Sequence, residues 1–187
     1  MTPFGLSRSR RRGGSRPGRG SKPVSAVDID GVLSLFGFEG EPRVEGAEME
    51  LIDGALHCVS MAAGDRLRRL AGHFDPVWAT GWESGGERMS QLLGLPSWPA
   101  LSFKNAARFG SADWKLEPLE RFARGRPVAW IDDSLDEPCY EWARGRREPT
   151  LLVEAEPQLG LLEVHVEALL GWARSLEADR REAGEGE

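Results

Sequence analysis

The sequence predicts an α/β fold, a Rossmann-like three-layer sandwich with a mostly parallel central sheet. Three observations predict it. Four short apolar segments of strand character recur at 23–30, 76–80, 127–133 and 150–155, and helical apolar spacing fills the intervals between them. Strands that alternate with helices in this way form βαβ units, whose parallel sheet is covered on both faces. The 187 residues, 40% of them hydrophobic, are enough for one domain with a sizeable core.

Taken in order, the first strand, "PVSAVDID", runs out on Asp28 and Asp30 and is followed by Gly31. A Gly- and Glu-rich region leads to 47–60, where two apolar runs flank Asp53-Gly54, a dipeptide suited to a tight hairpin turn. A helix over 61–74 puts Leu67, Leu70 and Ala71 on one face, and the strand at 76–80 ends on Thr80. Residues 83–95 are helical in their later part, and a Pro- and Trp-containing stretch then reaches a candidate strand at 101–105. The next helix spans 112–125, with Asp113 placed to cap it and Gly125 to close it. After the strand at 127–133 come a helix at 136–145, the last strand, and an amphipathic helix over 162–179 with Val166, Leu169, Leu170 and Ala173 toward the core.

The ends differ from this body. Residues 1–22 hold seven basic side chains and no acid, so the remaining chain is more acidic than the net charge of -6 implies. With Arg, Gly and Ser dominating and no apolar periodicity, 1–22 is expected to be a disordered tail, 23–176 the folded domain, and 177–187 a second polar tail. No apolar run approaches the roughly 20 residues of a membrane-spanning helix. Cys58 and Cys139 fit packing positions in a reducing, cytoplasmic setting.

In sheets of this kind the ligand sits at the carboxyl ends of the strands. Those ends carry Asp28 and Asp30, then Thr80, then Asp132 and Asp133. Four acids in a small volume repel one another strongly in a low dielectric and call for a cation. An all-oxygen donor set favours a hard ion of the Mg²⁺ kind, because His57, His73 and His165 are scattered without zinc spacing. No GxxxxGK[ST] loop is present to cradle a nucleoside triphosphate. An aspartate beside such a cation can itself attack phosphorus, while a second acid protonates the leaving group and a Thr hydroxyl and a Lys steady the phosphoryl charge. For the lysine, Lys115 leads and Lys104 is the runner-up.

In this order "DIDGV", Thr80 after "VWA", Lys115 and "WIDD" resemble the four motifs of the haloacid dehalogenase (HAD) superfamily. More narrowly, "DIDGVL", "WATGWE", "WIDD" and "GLLEVHVEALLGWA" are similar to the HAD domain of the Swiss Army Knife RNA repair proteins, over residues 24–175. The resemblance implies a HAD-like hydrolase, a Mg²⁺-dependent phosphomonoesterase working through an aspartyl-phosphate. Asp28 would be nucleophile and metal ligand, and Asp30 the general acid/base with its carbonyl on the metal. Asp132 and Asp133 would complete the metal set, with Asp136 orienting them. Thr80, Gly81, Trp82 and Lys115 would hold the substrate, a phosphorylated small molecule or nucleic-acid end. The 52 residues between Asp28 and Thr80 allow a hairpin flap and a helix as a minimal cap, not a full cap domain. Two alternatives share these residues: a non-catalytic module that binds a phosphorylated ligand or partner, and a phosphotransferase to another acceptor. Trp78 and Trp130, within strands, read as core, and Trp82 as the better substrate contact.

Overall fold

The computed structural model describes residues 22–103 and 110–185. The chain runs β1 (Val24–Val27), β2 (Ser34–Leu35), β3 (Ala47–Ile52), β4 (Ala55–Ser60), α1 (Ala62–Ala71), β5 (Asp75–Trp78) and α2 (Gly85–Leu92). A short 3₁₀ turn, Asp113–Lys115, then leads into α3 (Leu116–Ala123), β6 (Val128–Asp132), α4 (Glu137–Gly145), β7 (Thr150–Glu154) and α5 (Glu163–Glu185).

Four strands form a parallel sheet in the order β5-β1-β6-β7. Every residue of β1 and β6 is buried, as expected of inner strands covered on both faces. Alternation along the strands divides the core in two. Val27, Ala129, Ile131 and Val153 pack with Ala63 and Leu67 of α1, Met89 of α2, and Val166 and Leu169 of α5. Val24, Ala26, Val128 and Trp130 pack on the other side with Leu119 and Ala123 of α3 and Cys139 of α4. The expected α/β architecture, a mostly parallel sheet flanked by helices, is therefore present.

A second sheet, β2-β4-β3, is antiparallel and turns at Asp53-Gly54, both residues having positive φ (50° and 85°). That is the two-residue turn whose twist matches a hairpin. Along the chain this sheet is inserted between β1 and β5.

Three boundaries differ from the sequence reading. Residues 101–103 of the candidate strand at 101–105 form no strand; the bridge to the sheet comes one residue earlier, from Ala100 against Trp78, with Leu101 N–H donating to the Trp78 carbonyl at 2.8 Å. The candidate's remainder from Lys104 onward lies outside the described residues. The helix expected over 112–125 opens as the 3₁₀ turn, so Asp113 lies inside the turn and does not cap it. Pro118 falls in the first turn of α3, where its missing N–H would have no helical partner in any case. Finally, α5 runs to Glu185, through most of the segment expected as a polar tail. Its Ala, Glu and Arg content propagates a helix already nucleated by the packed residues before it.

Cys58 and Cys139 are buried free thiols. Among the described residues no helix is long and apolar enough to cross a membrane.

Candidate functional site

Strand register builds the site. Val27 pairs with Ile131, so the next residues, Asp28 and Asp132, stand side by side at the carboxyl ends of β1 and β6. The Asp28 N–H donates to the Ile131 carbonyl at 3.0 Å, which carries the pairing to the carboxylate itself. The chain goes from β1 to β5 on one side and returns to β6 on the other, so this is the switch point of the sheet, where clefts open in such folds. Alternation turns Asp28 to the face of Ala26 and Asp132 to the face of Trp130, the face covered by α3.

Lys115 arrives from that face. Its Nζ donates to Asp28 Oδ2 at 2.6 Å and to Asp132 Oδ2 at 2.7 Å, and all three side chains are nearly or wholly buried. The second oxygens are also held, Asp28 Oδ1 by the Ile29 N–H (2.7 Å) and Asp132 Oδ1 by the Ser134 N–H (3.1 Å). Trp130 Nε1 adds a further donor to Asp132 at 3.1 Å, so this core tryptophan also serves the site.

Asp133 sits over Gly31. A Cβ on Gly31 would fall 2.4 Å from the Asp133 carboxyl, and Gly31 has φ +69°. Glycine is required here on both counts. Ligand atoms of Asp28, Asp132 and Asp133 lie within 4.8 Å of one another, a group able to hold a metal ion. Its donors are all carboxylate oxygens, which suits a hard cation. The Asp30 side chain is outside that group and lines the cleft above it.

The cleft measures about 560 Å³ and is lined by these four aspartates and Lys115, and by Phe36, Gly81, Trp82, Ser111, Trp114 and neighbouring backbone. Thr80 itself is not among its walls. Its buried hydroxyl accepts the Trp82 N–H at 3.2 Å and so shapes the loop that presents Gly81 and Trp82. Asp136, expected to orient the acidic pair, instead accepts Ser111 Oγ at 2.6 Å and Cys139 Sγ at 3.0 Å. It ties a cleft wall to the start of α4.

Electrostatics follow from burial. Loss of water pushes Asp28 up to about 7; Lys115 pulls it down and Asp132 pushes it up. Burial disfavours the charge of Lys115, yet the two carboxylates hold it above its ordinary value. Burial also raises Asp133, reinforced by Asp132. Asp30 is raised by desolvation, with His57 and Lys115 acting the other way. For Asp136 burial works upward, but hydrogen bonds from Cys139 and Ser111 prevail and lower it. Three carboxylates with one lysine leave negative charge that a bound cation would offset.

Among the residues not legible as site members are Phe36 and His57. Phe36, just past β2, lines the cleft while 48% exposed. His57 stacks on Trp82 (4.7 Å, 8° between planes) and shares a 2.9 Å hydrogen bond with Ser34 Oγ. His57 falls on the same face of β4 as the buried Val59 two residues on, which was the available signal for it. Gly85 faces the same tryptophan, since a Cβ there would lie 2.5 Å from the Trp82 ring.

No family model matches the chain, and no curated protein matches it.

Proposed function

We propose that the protein is a HAD-like, Mg²⁺-dependent phosphohydrolase that cleaves phosphomonoesters through an aspartyl-phosphate on Asp28. The observation that carries this reading is Lys115 bonded at once to Asp28 and Asp132, beside Asp133, at the floor of the cleft. A buried lysine shared by two carboxylates orients an aspartate and leaves negative charge to receive a divalent ion.

Asp28, Asp132 and Asp133 would hold the ion, with the Asp30 backbone carbonyl joining them. When bound, it supplies charge neutralisation at the phosphoryl oxygens. A carboxylate oxygen of Asp28 attacks phosphorus, the P–O bond to the leaving group breaks, and Asp30 gives its proton to the departing oxygen. Water then attacks the same phosphorus. Asp30 takes the proton, the bond to Asp28 breaks, and inorganic phosphate leaves. The raised proton affinity of Asp30 suits this alternation, because an acid that titrates nearer neutrality can both give and take a proton. Lys115 keeps Asp28 in place throughout, and Gly81 at the cleft wall would offer its N–H to phosphoryl oxygens.

Release of inorganic phosphate from small phosphomonoesters should require added Mg²⁺, cease with EDTA, and fall at least ~10³-fold in Asp28→Asn, as expected for loss of a nucleophile. Undiminished turnover in that variant would overturn the mechanism.

A further inference from the structure

Three aromatic rings reach the cleft from three different elements: Phe36 after β2, Trp82 after β5, and Trp114 in the 3₁₀ turn before α3. Two of the rings are held by their surroundings, and the third is fixed at its backbone alone. Phe36 has its N–H bonded to the Pro157 carbonyl at 3.0 Å. Trp82 is packed against His57 and against the backbone at Gly85, so it meets the cleft as a fixed wall. Trp114 donates Nε1 to the Ser111 carbonyl at 3.0 Å and lies edge-to-face with Phe103 at 4.6 Å. Rings held before a ligand arrives, as Trp82 and Trp114 are, lose little freedom on contact and offer apolar surface against which a planar ring can pack.

Phe36 is the telling member. At 48% exposed it leaves much of its ring open at the wall of the acidic cleft, where the apolar part of a ligand would cover it. Trp82 alone would be a poor stacking partner, because the His57 ring lies on it and the Gly85 backbone abuts it. Phe36 and Trp114 are therefore the residues that discriminate, and Trp82 limits the width. A cleft of about 560 Å³ is within the range that holds one small organic ligand.

We propose that this cleft takes a phosphomonoester whose leaving group carries a planar aromatic ring, seated against Phe36 and Trp114 while the phosphoryl group lies at Asp28. The inference rests on the phosphohydrolase reading of the same site. The ring is either a nucleobase or a simple aryl group, and two matched pairs separate these sources. Adenosine 5′-monophosphate and ribose 5-phosphate share a primary-alcohol leaving group and differ in the base. Benzyl phosphate and cyclohexylmethyl phosphate share a carbon skeleton and a primary-alcohol leaving group and differ in the aromaticity, and so the planarity, of the ring.

The test measures kcat/KM for all four with the full chain and Mg²⁺. The ring-bearing member of at least one pair is expected to lead by about tenfold or more, as for one base-aromatic contact, chiefly through KM. Phe36→Ala and Trp114→Ala should each shrink that lead, lowering kcat/KM for the ring-bearing member more than for the ringless one. Equal values within both pairs, or a lead that survives both substitutions, would overturn the proposal and leave phosphohydrolysis standing. If none of the four releases phosphate, the phosphohydrolase reading falls. Calorimetric binding of the same four compounds to the unaltered protein then decides the ring preference by the same criterion.

Discussion

Gly31 shows how much of the site depends on a single missing Cβ. Its φ of +69° lies in the left-handed region, and the Asp133 carboxyl occupies the space a side chain would need. Gly31→Ala should therefore cost about 1–2 kcal/mol from the backbone alone and also displace Asp133 from the carboxylate group. Urea denaturation is expected to report the first effect, and weaker divalent-ion binding by calorimetry the second. Unchanged ion affinity would mean that Asp133 does not contribute. Asp28 and Asp132 differ in kind: their positions follow from strand register, and their charges are tolerable in the interior because Lys115 bridges them.

At the scale of elements, the hairpin β3–β4 is fastened rather than free. Its tip residue Asp53 accepts from Ser84 Oγ at 2.9 Å and pairs with Arg88 at 3.1 Å, joining it to the start of α2. Nearer the cleft, His57 stacks on Trp82. The first attachment is exposed and is worth less than about 1 kcal/mol. The second holds a wall of the cleft. His57→Ala should leave folding nearly intact and raise KM for a phosphomonoester several-fold, with kcat changed less; a normal KM would show that Trp82 holds its place without the imidazole. Alternation in β4 made His57 face the cleft side, but its partner Trp82 follows a different strand, so no local pattern announced the contact.

The whole molecule carries the linkage between protons, cation and stability. Burial pushes Asp28 up to about 7 from 3.8, and Asp133 is raised in the same direction. The folded chain then binds these protons more tightly than the unfolded chain. Stability from Asp28 is greatest at low pH, declines as pH rises from about 4 to about 7, and is level above that. A divalent cation binds the deprotonated carboxylates and so restores what that deprotonation loses. The gain in Tm on adding Mg²⁺ should therefore be larger at pH 8 than at pH 5, and Asp28→Asn should reduce the difference. Equal gains at both pH values would remove Asp28 from the cation site.

What the sequence determined by itself is what short stretches encode. The apolar segments, the acids that end them and the Asp53-Gly54 turn were all legible because each needs only a few consecutive residues. Helix limits were less so: the start of α3 tightened into a 3₁₀ turn, and packing upstream carried α5 past its expected end. Tertiary structure alone decided which charges meet. Lys115 and Asp28 are 87 residues apart, and only the β1–β6 register and the α3 layer bring them to 2.6 Å. The Gly31–Asp133 and His57–Trp82 contacts are of the same sort. Chain segments remote in sequence are selected for contact by the packing of whole layers, and no local propensity contains that information.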